Sequence, residues 1–187
     1  MDKIILGIDP GTTVTGYGII QIVNNKPVVL AIGYLELHKF DDHYLKLQKI
    51  FERVLQLIDQ YHPDELAIEA PFYDKNIQSM LKLGRAQGVA IAACLYRSIP
   101  IFEYTPRKIK SAITGNGNAS KEQVAVLLKG MLKINDMPDK LDASDGLAVA
   151  VCHYYQKIFP VGATNKKSVN NWKDFIKNNP DRVTLKT

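Results

Sequence analysis

The chain has 187 residues, 46% of them hydrophobic and 23% charged, with a net charge of +5. That is enough for one ordinary domain whose core needs no disulfide or metal staples. Cys94 and Cys152, its two cysteines, lie far apart without CxxC spacing and in apolar surroundings, so they read as small buried hydrophobes and argue against a metal-thiolate site. No apolar run nears the ~18 residues of a membrane span and no basic-then-apolar leader opens the chain, so a soluble cytoplasmic protein is expected, with the positive charge favouring a polyanionic partner.

Ile4 to Ile20 (IILGIDPGTTVTGYGII) predicts a buried strand that ends on Asp9, turns through Pro10 and Gly11, and returns as a second strand. A carboxylate closing the run Ile4, Ile5, Leu6, Ile8 has a use only if that end opens onto water, a metal or a ligand. Pro27 to Leu37 adds a third antiparallel strand after the Asn24-Asn25-Lys26 turn. From Asp41 to Tyr61, apolar residues recur at three- and four-residue steps and predict an amphipathic helix stopped at His62-Pro63. Leu66 to Glu69 is then a short buried strand. After a helical crossover it pairs most simply parallel to the first strand, which brings Asp9 and Glu69 to one edge of the sheet. Two acids so placed repel unless cations or protons intervene.

Phe72 and Tyr73 follow in a loop, either as core residues or as a stacking surface for an unpaired base. Ile77 to Arg97 predicts a long helix rich in small residues. Its interior Gly84 and Gly88 each cost roughly 1 kcal/mol relative to alanine, so another backbone should approach there: the chain's own sheet, or the same helix of a second subunit. Pro100 to Tyr104 is a further strand. Thr105 to Ala119 reads as a basic loop carrying Arg107, Lys108 and Lys110, before Ser120 opens a helix with Gln123 at capping-box spacing. Lys121 in the first turn of that helix runs against the helix dipole and hints at another task. Leu141 begins the last core helix, where Asp142 and Asp145 share a face; an N-cap or first-turn role explains one acid fully and the second only in part. His153, ~16 Å further along the axis, is too distant to join them and reads as a packed or surface histidine. Residues 1–158 are thus expected to form one domain. Residues 159–187 form a basic extension in which Trp172, Phe175 and Ile176 predict a short docking helix.

Four converging carboxylates cannot all stay ionised without cations, and an oxygen-only ligand set favours magnesium or manganese over zinc. The segments GIDPGTTVTGYG, AIEAPFYDKN, LKLGRAQGVAIAA, EYTPRKIKSAITGNGNASKEQV and LDASDGLAVAVCH together resemble the RuvC family of Holliday-junction resolvases, from about Ile4 to about Tyr155. That resemblance implies an α/β, RNase H-like fold: a mixed five-stranded sheet, three antiparallel strands then parallel ones, flanked by helices. It implies that Asp9, Glu69, Asp142 and Asp145 are metal-binding catalytic acids, with two Mg2+ per site and Mn2+ able to substitute. Phe72 falls at a base-stacking position, with Tyr73 beside it. Lys110 and Lys121 fall near the scissile phosphate, and the helix bearing Gly84, Gly88 and Ala92 is the dimer interface. The implied activity is paired, symmetric hydrolysis of four-way DNA junctions by a homodimer in homologous recombination and DNA repair, with the RuvA and RuvB branch-migration proteins as partners. GIDPGTT also resembles the first phosphate loop of Hsp70-like ATPases, but the chain has no second glycine-rich phosphate loop. A nuclease of the same fold acting on structured RNA, and a non-catalytic junction binder, are the remaining alternatives.

Overall fold

The computed structural model describes residues 2–71, 76–134, 138 and 140–158. The extension over 159–187, its docking helix, and the loop residues Phe72 and Tyr73 lie outside them. Five strands, β1 (Lys3–Asp9), β2 (Val14–Val23), β3 (Lys26–Glu36), β4 (Glu65–Glu69) and β5 (Ile101–Tyr104), form one sheet in the order β3-β2-β1-β4-β5. β1, β2 and β3 pair antiparallel, while β4 joins β1 and β5 joins β4 in parallel. This is the mixed sheet expected from the sequence.

Period-2 alternation splits β1 and β4 between two cores. Leu6, Ile8, Leu66 and Ile68 point to the face covered by α1 (His43–Tyr61) and α2 (Ile77–Tyr96), and all four are fully buried. Each contributes roughly 2 kcal/mol by leaving water. Ile5 and Ala67 point to the opposite face, which is covered by α3 (Pro106–Thr114), α4 (Lys121–Leu132) and α5 (Leu141–Ile158). Asp9 continues the series of Ile5 and Gly7, and Glu69 that of Glu65 and Ala67. Both acids therefore project toward the α5 layer.

Helix boundaries follow local chemistry. Asp42 caps α1 by accepting from the Leu45 amide at 2.7 Å, and Ser120 with Gln123 forms the predicted capping box at α4. The basic loop expected over Thr105 to Ala119 is instead largely helical. Thr105 caps α3 with its hydroxyl, Pro106 supplies a preset first turn, Ile109 and Ile113 bury one stripe, and Gly115 ends it in the left-handed conformation at φ 75°. The run of charges hid a Thr-Pro start and a glycine stop. α5 begins at Leu141, so Asp142 sits in its first turn and not at its cap.

α5 lies unusually close to the sheet. A Cβ placed on Gly146 would meet the Tyr17 Cα at 2.4 Å, and one on Gly7 would meet the Gly146 carbonyl oxygen at 2.3 Å. Only glycine at these crossings lets helix and hairpin backbones touch, and the contact carries the acids of α5 to the end of β1.

Candidate active site

The last parallel pair between β1 and β4 is Ile8 with Ile68, so Asp9 and Glu69 follow it side by side at the C-terminal ends of their strands. Asp145 comes from the second turn of α5, and Lys110 and Lys121 from α3 and the first residue of α4. Asp9, Glu69, Asp145 and the two lysines line one cleft of about 210 Å³, walled by Pro106, Ile109, Val124 and Ala148. Asp142 joins through Lys121, whose ammonium hydrogen-bonds to Asp145 and lies 3.5 Å from an Asp142 carboxylate oxygen. The lysine that opposes its helix dipole is thus the cleft's own counter-ion.

Two lysines do not balance four carboxylates. Burial, then the charges of Glu69 and Asp145, hold the Asp9 carboxyl well above the usual carboxylate range. Burial and the charge of Asp145 push Glu69 up to about 7. Burial raises Asp145 as well, against the opposing pull of Lys121. Burial alone would lower the Lys121 ammonium, but Asp145, Asp9 and Asp142 together hold it above its ordinary value. Among the described residues no three His, Cys, Asp or Glu groups stand close enough, as the side chains lie, to ring a metal ion. The carboxylates, whose charges repel, stand apart, and Lys121 lies between two of them. A set of oxygen donors under this repulsion has the chemistry that takes up a hard divalent cation.

Arg107 and Lys108, grouped with Lys110 in the sequence, are exposed on α3 outside the cleft lining, and Lys108 instead places its ammonium 5.1 Å from the centre of the Tyr104 ring. The helical turn of α3 separates them: Lys110 lies on the side that faces the acids. Gln87 escaped attention in the sequence. It is buried on α2, donates from Nε2 to the Glu103 carboxylate at 2.9 Å and to the Glu69 carbonyl at 3.3 Å, and so pins the strand end that carries Glu69. A lone glutamine in a small-residue helix gives no sequence signal for such a role.

His153 is not a surface residue. It is fully buried, with Nε2 2.7 Å from Glu65 and Nδ1 2.6 Å from the Tyr104 hydroxyl. Burial would raise Glu65, yet hydrogen bonds from Lys157, Lys3 and His153 hold it down to about 2. Burial also lowers His153 against the pull of Glu65. An ionised Glu65 can only accept, so Nε2 of a neutral His153 donates to it and Nδ1 accepts from Tyr104, whose hydroxyl burial pushes up to about 12.

A sheet of this order, with acids gathered at the C-terminal ends of its central parallel strands under a closing helix, defines the RNase H-like class of nuclease folds. Residues 5–153 match the family model described as crossover junction endodeoxyribonuclease RuvC, and the chain belongs to that family. A crossover junction endodeoxyribonuclease RuvC from Porphyromonas gingivalis is 57% identical over 184 residues, 97% of either chain. The RuvC structure from Thermus thermophilus superposes with a TM-score of 0.73 at 28% identity, covering 83% of this chain and 96% of that one. The same protein in complex with Holliday junction substrate gives 0.73 at 26% identity, covering 84% and 96%.

Proposed function

We propose that this protein is a homodimeric, metal-dependent endonuclease that binds four-way DNA junctions and resolves them by two symmetric phosphodiester cuts. Membership of a family named for crossover junction cleavage supports the activity, and the convergence of Asp9, Glu69 and Asp145 in one cleft with Lys110 and Lys121 is the observation that carries the mechanism. Asp9, Glu69, Asp142 and Asp145 would hold the divalent ions; magnesium, replaceable by manganese, suits their oxygen-only donors. When bound, such ions supply Lewis acidity to the scissile phosphate and lower the pKa of a water nucleophile. Lys110 and Lys121 flank the cleft as ammonium groups able to offset phosphate charge, while Arg107 and Lys108 extend the basic surface along α3. Phe72 and Tyr73, next to Glu69 in the chain, are the proposed base-stacking residues. Each cut would leave a 5′-phosphate and a 3′-hydroxyl.

The free face of α2 supports the dimer. Ile77, Leu81 and Leu95 are 62, 50 and 60% exposed, and within the chain nothing described comes within 4 Å of a Cβ built on Gly84 or Gly88. With Ala92 they form one stripe at three- and four-residue steps, so of the two partners that the glycines allowed, a second subunit fits better than the chain's own sheet. A two-fold dimer gives two cleavage sites of like geometry, as paired nicks require. RuvA and RuvB are the expected partners, and a junction substrate fits a cytoplasmic protein. Within the extent described, no helix is long and apolar enough to cross a membrane. The test is nicking of a synthetic four-way junction with and without magnesium: wild type should cut only with the metal, and Asp9→Asn should bind but not cut. Cutting by Asp9→Asn at the wild-type rate would overturn the site. Sedimentation of both proteins should read a dimer, and a monomer would remove the two-fold arrangement.

A further inference from the structure

β3 is an edge strand, paired only with β2 among the described strands. Beside it a groove of about 710 Å³ runs between Lys26–Ile32 and the C-terminal end of α4 at Met131–Ile134. Val28, Leu30 and Met131 stand 47, 38 and 40% exposed along it. An edge strand bordered by exposed apolar side chains is a template for unwanted pairing, and proteins commonly cover such edges. The volume lies within the roughly 300–1,000 Å³ that encloses a drug-sized molecule, so it has room for two aromatic side chains.

α5 delivers the rest of the chain to this place. The Tyr154 hydroxyl donates to the Asn25 carbonyl at 2.6 Å, tying the last turns of α5 to the turn that opens β3. Ile158, the last residue of α5, is one helical turn further, ~6 Å along the axis. The described chain therefore ends within reach of the groove, and residues 159–187 hold the chain's single tryptophan, Trp172, with Phe175 and Ile176 at helical spacing. The intervening residues span ~40 Å when extended, more than the groove demands. A segment tethered this closely has an effective concentration on the order of millimolar, which favours it over a second copy competing for the same surface. Nucleic acid is a poorer occupant, because the groove is lined mainly by apolar side chains.

We propose that the Trp172–Ile176 segment docks intramolecularly in the groove between β3 and the end of α4, as a strap over the sheet edge. It is independent of the metal site, and its test involves no cleavage. Trp172 is a unique fluorophore. In the full chain without DNA its emission should be blue-shifted and protected from acrylamide. Leu30→Glu with Met131→Glu, both at exposed positions, should shift that emission to the red and raise quenching severalfold. Val126→Glu, on α4 outside the groove and 70% exposed, should change neither. As a second measurement, Trp172→Ala should speed hydrogen exchange of the amides on the open side of β3. The proposal is overturned by water-like emission in the unaltered chain, or by protection indifferent to the groove substitutions. Protection that appears only with junction DNA, or that is lost on dilution, overturns it too, by assigning the segment to DNA or to a second copy.

Discussion

β4 carries a glutamate at each end of one face, and the two are treated in opposite ways. Glu65 opens the strand among donors: Lys3, Lys157 at 2.7 Å and the ring of His153 all bond to it, and its carboxyl is held down to about 2. Glu69 closes the strand among acids, and its carboxyl is pushed up to about 7. Glu65 is buried and Glu69 half-buried, and leaving water raises both carboxyls, so burial does not explain their opposite shifts. The difference is whether the fold answers the charge. Where it does, a carboxylate is architecture that ties β1, β4 and α5 together. Where four residues later it does so only in part, the remaining excess of negative charge marks the proposed cation site.

The largest contrast should appear in junction cleavage. Glu69→Gln should lower the magnesium-dependent cutting rate on the order of 10³-fold, as loss of a transition-state-stabilising group does, whereas Glu65→Gln should leave the rate per folded molecule within about twofold. Equal losses would erase the distinction.

Next in size is stability at neutral pH. Glu65→Gln removes the charge shared by two lysines and a buried histidine and replaces one accepting oxygen with a donor, and should cost about 2 kcal/mol in urea unfolding. The sign follows from a depressed pKa: the ionised form stabilises the fold above pH 4.5, and that advantage is lost as the pH falls toward 2. The gap between wild type and Glu65→Gln should close over that window. A constant gap would mean that packing, not charge, is responsible.

The smallest effect has the opposite sign. A raised pKa means that ionising Glu69 opposes folding, so without divalent metal the wild type should lose stability as the pH rises from 4.5 through about 7. Glu69→Gln should then be more stable than wild type at pH 7.5 by about 1 kcal/mol, and the two should converge below pH 4.5. Magnesium should raise the wild-type melting temperature more than that of Glu69→Gln. A destabilised Glu69→Gln would show that Glu69 is structural after all.

Much of this was legible in the chain because local rules agreed. Alternation in Ile4 to Asp9 placed Asp9 at a strand end, the amphipathic run to Tyr61 made a crossover, and the crossover made β4 parallel to β1, which is all that pairing Asp9 with Glu69 requires. Other parts were hidden. Charge masked α3, since Arg107 and Lys108 drew attention from the Thr105-Pro106 cap and from the buried pair Ile109 and Ile113. His153 looked idle because Glu65 and Tyr104, its partners, are distant in sequence and no spacing connects them. Gln87 was silent for the same reason.

By itself, the sequence determined which residue types stand at the ends of which elements: Asp9 closing a buried strand, Glu69 closing its neighbour, Asp142 and Asp145 one turn apart on a helix. These follow from periods of two and of 3.6, which are properties of the backbone. Only the tertiary structure decided which charges are answered. Glycines at 7 and 146 let α5 lie against the hairpin so that Asp145 reaches the cleft. The same helix swings Lys157 and His153 to Glu65 at its other end. Charge compensation acts through space at a few ångströms, and spacing along the chain does not encode it.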